Sequence, residues 1–152
     1  MPSISHPRRA NRMARGAGHI AVLLALLVVL PAPSRAGSEL AKLWHGRYFY
    51  SKSSGRVSVV FELKITSIHD GKFTGRTTEP ATFGTKPCTF LYANVKGDVD
   101  GDKIAFTKTY DGTCGQTHSV SYSGIMRNSH KIEGNWTVSP TFGGTFTAEA
   151  GD

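Results

Sequence analysis

The chain predicts an all-β fold: an eight-stranded antiparallel up-and-down meander barrel in one domain. Three observations carry that prediction. After Ser38 the apolar residues recur with period two, not with the longer period of a helix. Turn-forming residues interrupt the pattern roughly every eight to twelve residues, the spacing of a sandwich or barrel. The connections alternate between tight and long, so a meander would collect the tight turns at one end and the loops at the other.

The N-terminal segment reads differently. Arg8, Arg9, Arg12 and Arg15 precede an unbroken apolar run, Ile20 to Leu30, which Pro31 and Pro33 end. Ser34 and Ala36 place small residues before a cut. This is the pattern of a secretory signal peptide over 1–36, removed to leave a β-barrel domain over 37–152 and a secreted or periplasmic protein. The run is shorter than the roughly 20 residues of a membrane span. Of the 18 Lys and Arg, five lie in this segment and none of the 11 Asp and Glu does. The barrel domain is therefore close to charge balance, 13 basic residues against 11 acidic. A nucleic-acid partner, which needs a basic patch on the folded domain, is not expected. Nor is a membrane partner once the signal is gone.

Strands are predicted over 44–50, 56–67, 72–79, 89–99, 103–110, 117–125, 131–138 and 144–150. Three connections read as tight: 69–71, 100–102 and 127–130. In the first two an Asp-Gly pair sits between alternating runs, a strong hairpin signal because glycine takes positive φ freely. The others, 51–55, 80–88, 111–116 and 139–143, read as longer loops. Asp98, Asp100 and Asp102 have the odd-position spacing of a calcium loop. An EF-hand loop counted from Asp98 would need Gly at its sixth position and Glu at its twelfth. Lys103 and Thr109 stand there instead, and Gly101 comes two places early. The stretch is read as a hairpin turn, and no metal site or cofactor is expected.

Parity assigns the faces. With Trp44 inside, Gly46, Tyr48 and Tyr50 follow on the first strand. Val57, Val59, Phe61, Leu63 and Ile65 face in on strand two, while Glu62 and Lys64 face out. Phe73, Gly75, Thr77 and Glu79 line strand three, and Ile104, Phe106, Lys108 and Tyr110 strand five. Val120, Tyr122 and Gly124 follow on strand six, Ile132, Gly134, Trp136 and Val138 on strand seven, and Phe146 and Ala148 on strand eight. Trp44, Ile65, Phe73, Ile104, Gly124 and Ile132 fall toward the tight-turn end and make an apolar plug. Tyr48, Tyr50, Thr77, Glu79, Lys108, Tyr110, His118 and Trp136 fall toward the loop end. Apolar walls with a few convergent polar groups are what a small-molecule site looks like, so these eight are the predicted ligand-binding residues.

Cys88 and Cys114 are the two cysteines. They fall in neighbouring loops at the same end, and in an exported chain they predict one disulfide across that rim. The histidines of the barrel domain, His45, His69, His118 and His130, are scattered, without metal-ligand spacing. There is no nucleophile elbow and no phosphate-binding glycine loop, so a binding protein is expected and not an enzyme. Asn135-Trp136-Thr137 matches a glycosylation acceptor but lies inside a predicted strand.

The opening "WHGRYFY", the seventh strand "HKIEGNW" and the count of eight strands together resemble the avidin/streptavidin and lipocalin group of calycin barrels, over nearly the whole of 37–152. The Gly-x-Trp of lipocalins is replaced here by Trp44-x-Gly46. Trp136 falls where an avidin strand carries one wall of its ligand site, but the barrel domain has only these two tryptophans. The resemblance implies a small, partly apolar ligand other than biotin, held at the loop end. The alternative is a protein-binding barrel, such as an inhibitor of an extracellular or periplasmic enzyme. It would act through the 80–88 and 111–116 loops, with Phe83 as the residue to insert.

Overall fold

Eight strands form in the computed structural model, which describes residues 40–51, 58–84 and 87–152. The predicted signal segment and inward Val57 lie outside the described residues. The strands are β1 (Leu43–Tyr50), β2 (Ser58–His69), β3 (Lys72–Pro80), β4 (Phe90–Asp100), β5 (Lys103–Tyr110), β6 (Ser119–Asn128), β7 (Lys131–Ser139) and β8 (Phe142–Ala150). Each pairs antiparallel with the next, and β1 pairs with β8, closing the barrel. Closure leaves none of the eight described strands with an open edge.

Alternation in the sequence becomes alternation in burial. Along β5, Ile104, Phe106, Lys108 and Tyr110 are buried and the residues between them exposed. Along β2 the same holds from Val59 to Ile65, with Glu62 and Lys64 outside. A register shift between Ile65 and Ser67 then breaks the pattern and carries β2 past its predicted end.

The tight turns are two residues each. Asp70 and Gly71 both take positive φ, 49° and 74°, the backbone twist that suits a two-residue hairpin. Gly101-Asp102 joins β4 to β5, with Asp100 opposite Lys103, so the acidic stretch is a hairpin turn. Ser129-His130 joins β6 to β7, where the His130 N–H donates to Asn128 Oδ1 at 2.8 Å. That side-chain turn lets β6 run to Asn128 instead of stopping at 125. One predicted loop is not a loop. The segment 139–143 closes as a tight Pro140-Thr141 turn, and β8 starts at Phe142. Proline sets the φ that the first central position of a turn needs, and a register shift between Thr137 and Ser139 takes up the remaining slack. Strict alternation of tight and long connections therefore fails at this fourth site.

Toward the closed end the interior is filled. Trp44 is fully buried, and its indole N–H donates to the Ala41 carbonyl at 2.8 Å. Phe61, Phe73, Phe106 and Phe146 fill the middle of the barrel, with Tyr122 stacked on Phe106 at 4.5 Å. These rings sit where glycine leaves room. A Cβ at Gly46 would lie 2.2 Å from the Phe61 ring, and one at Gly97 would meet both Phe73 and Phe106. Small residues opposite large ones are how a narrow barrel packs its interior. The filling stops short of the loop end.

Candidate functional site: the aromatic mouth of the barrel

Above the packed rings lies a cavity of about 260 Å³. Two aromatic groups, carried by strand ends and by the loop and segment beside them, wall it. Tyr50, Trp136 and Phe142 come from β1, β7 and β8, with Tyr50 and Phe142 5.2 and 5.6 Å from Trp136, edge to face. Phe83, Tyr110 and His118 form the second group, with Phe83 5.7 Å from Tyr110 and Tyr110 4.7 Å from His118. Tyr48, Lys108, Val120, Tyr122 and Val138 complete the lining. The Trp136 indole N–H is already used, donating to the Phe49 carbonyl at 3.0 Å, so Trp136 offers the cavity a flat apolar face.

The deep polar group is an ion pair. Lys108 Nζ donates to Glu79 Oε2 at 2.8 Å, and both side chains are almost wholly buried. Lys108 also donates to the Tyr110 hydroxyl at 2.8 Å. Tyr110 in turn donates to Glu79 Oε1 through a short hydrogen bond, and the Tyr48 hydroxyl donates to the same oxygen at 3.3 Å. The ammonium lies over the rings of Tyr110 and Tyr48, at 4.6 and 5.1 Å from their centres. Ring faces attract a desolvated cation.

Titration follows from this arrangement. Burial pulls the Lys108 ammonium below its ordinary range, and the Glu79 charge partly offsets that. Burial, and then the Glu79 carboxylate, push the Tyr48 and Tyr110 phenols far above theirs. The His118 imidazole is held below its usual value, by burial first and by the Lys108 charge second.

Of the eight residues predicted from sequence, six line the cavity: Tyr48, Tyr50, Lys108, Tyr110, His118 and Trp136. Glu79 and Thr77 do not. Glu79 lies behind Lys108 and acts on the cavity only by holding the lysine and the two tyrosines. Thr77, one alternation deeper, is buried, and its Oγ1 has no hydrogen-bond partner among the described residues. Parity alone identifies both as inward but not how deep they lie.

Phe83 does not project for insertion into a partner, as its place in an exposed loop suggests. It is half-buried and turns inward over Tyr110 and His118. The reason lies in the rim. Cys88 and Cys114 form the predicted disulfide, with Cα atoms 5.9 Å apart, and tie the β3–β4 loop to the 3-10 turn at Thr113–Gly115. That turn is anchored by Asp111, whose carboxylate accepts from the Thr113 N–H at 3.0 Å and from Arg76 at 3.0 Å. These bonds, that from Thr113 foremost, hold the Asp111 carboxyl below its usual range. Gly84, at φ 126°, bends the loop back against Cys114. Sequence reasoning also misses Phe142, because it reads 139–143 as loop. Phe142 has the parity of Phe146 and Ala148, and that is the available signal.

No protein-family model matches the chain, and no curated protein matches it in sequence. Solved structures do resemble it. A redesigned beta barrel aligns with a TM-score of 0.62 at 12% identity, over 78% of this chain and 96% of its own. The protein EF1p2_mFAP2b, bound to DFHBI, gives 0.58 at 12% over 79% and 100%. A de novo designed fluorescence-activating beta barrel gives 0.54 at 9% over 76% and 97%. At these identities the likeness is one of fold.

Proposed function

We propose that this chain is an exported binding protein that holds one small, planar, partly apolar molecule in the mouth of its barrel, without chemically altering it. The observation that carries this reading is the cavity itself. Aromatic rings wall a space of about 260 Å³, and one buried ammonium stands at its depth. That volume lies just below the usual range for ligand pockets, roughly 300–1,000 Å³, and so favours a ligand of one or two rings. EF1p2_mFAP2b, a barrel of similar fold, is bound to the small molecule DFHBI, which is in keeping with this use of the architecture.

Export is supported by the signal-like segment and by the disulfide, which persists in oxidising compartments. Binding without turnover is supported by the position of Glu79. It lies behind Lys108, where it has no direct access to a bound molecule. The rival reading, a protein inhibitor acting through the 80–88 and 111–116 loops, loses its insertion residue to the cavity wall, since Phe83 packs on Tyr110.

Native mass spectrometry of the chain purified gently from its own host is the test. A retained small-molecule mass that disappears in a Trp136→Ala variant is the expected result. A bare chain, together with a stably co-purifying protein that is lost when Phe83 is replaced, contradicts the reading and favours the inhibitor.

A further inference from the structure

The polar chemistry at the depth of the cavity restricts what the bound molecule carries at its buried end. This inference rests on the reading above and specifies its ligand. Lys108 has three N–H groups. Two are committed, one to Glu79 and one to Tyr110. The third has no protein partner among the described residues, and Lys108 lines the cavity. The neighbouring phenol protons are committed too, because Tyr110 and Tyr48 both donate to Glu79. At Lys108, then, the site offers its guest a donor and asks for an acceptor, while Tyr50, Tyr122 and His118 bring further polar atoms to the lining.

The charge of that acceptor follows from Glu79. Lys108 and Glu79 together are neutral, and both side chains are almost wholly buried. A carboxylate placed against Lys108 would add a second negative charge to a buried site that holds one cation and already has its counter-ion. An unpaired buried charge is strongly disfavoured, and the group neutralises instead. An uncharged acceptor takes the same N–H without that penalty. The ring cage points the same way. Lys108 is already compensated by Glu79 and by the faces of Tyr48, Tyr110 and Tyr122, so it has little need of a further anion.

We propose that the site selects a planar apolar molecule bearing an uncharged carbonyl or amide oxygen at its inner end, received by Lys108, and that Glu79 acts from behind as the element that rejects carboxylates.

Three probes sharing one two-ring skeleton test this by calorimetry: naphthamide, naphthoate and methylnaphthalene. The wild-type protein is expected to bind naphthamide at least about tenfold more tightly than either of the others. Naphthoate should bind with uptake of close to one proton, seen as a buffer-dependent heat, while naphthamide should bind with none. Glu79→Gln keeps the shape and leaves Lys108 without its counter-ion, so it should reverse the order and favour naphthoate. Circular dichroism checks that this variant is folded, and if it is not, the wild-type ranking and proton uptake decide alone. Naphthoate binding as tightly as naphthamide without proton uptake overturns the selectivity while leaving the cavity as a binding site. Equal binding of methylnaphthalene and naphthamide overturns the role of Lys108. Binding of none of the three overturns the site and this proposal with it.

Discussion

Lys108 on β5 and Glu79 on β3 meet inside the barrel, Nζ to Oε2 at 2.8 Å, though β4 lies between their strands. A buried pair of this kind is a weak source of stability, because desolvating two charges offsets most of their attraction. Its removal one member at a time is another matter. Lys108→Met leaves Glu79 buried and unpaired, and is expected to lower unfolding stability by about 3–5 kcal/mol. The double variant Lys108→Met/Glu79→Leu should recover part of that loss but stay below the wild type, because the Tyr48 and Tyr110 hydroxyls lose their acceptor. Urea unfolding of the three proteins checks this. A double variant as unstable as the single one would mean that the pair itself stabilises the barrel.

Thr77 is a simpler case. Its hydroxyl is buried without a partner among the described residues, and an unsatisfied buried polar group costs about 1–3 kcal/mol. Thr77→Val keeps the shape and should raise stability toward that range, measured by thermal unfolding. A loss of stability would mean that the hydroxyl has a partner in solution.

The disulfide has two consequences. Cys88 and Cys114 are 26 residues apart, and closing such a loop contributes ~3–4 kcal/mol through the unfolded chain. Replacing both with Ser should remove about that much. It should also weaken ligand binding, because Phe83 depends on the tied loop for its place over Tyr110. Binding unchanged in the folded variant would show that the loop holds Phe83 without the bond.

Acidification should act through His118. Its folded value lies below the usual 6.5, so the unfolded chain takes the proton more readily. Any stability linked to this group is fully present above 6.5 and declines as the pH falls from there toward the folded value. Ligand affinity should decline over the same window, since a charged imidazole is costlier to desolvate beneath a bound molecule. His118→Asn should flatten both profiles, as measured by unfolding and binding titrations across mildly acidic pH. A wild-type profile that the substitution leaves unchanged would assign the effect elsewhere.

Much of this site is legible in the sequence because a strand has no freedom over parity. In "IAFTKTY", Ile104 and Phe106 must face the core, and Lys108 and Tyr110 then follow them inside whatever their polarity. The same rule brings Glu79 inward after Phe73, and so predicts both halves of the ion pair. Parity says nothing of depth, however. Glu79 and Thr77 face inward yet stay out of the cavity lining, Glu79 because its carboxylate is held by Lys108, Tyr110 and Tyr48. Phe83 escapes the pattern for a different reason. Its direction is set by a loop whose path depends on the disulfide and on Gly84, and period-two patterning does not reach into loops. Phe142 is hidden by Pro140, whose usual meaning as a strand breaker is also compatible with a tight turn.

The central claim is that a small molecule occupies the mouth of the barrel. Amide and side-chain NMR of the wild-type protein, titrated with naphthamide, tests it most directly. Shifts concentrated at Tyr50, Phe83, Lys108, His118, Trp136 and Phe142 are the expected result, with Gly71, Gly101 and Ser129 at the closed end unmoved. Shifts confined to the outer face around Val60, Phe90 and Tyr92, or absent from the mouth, would contradict it.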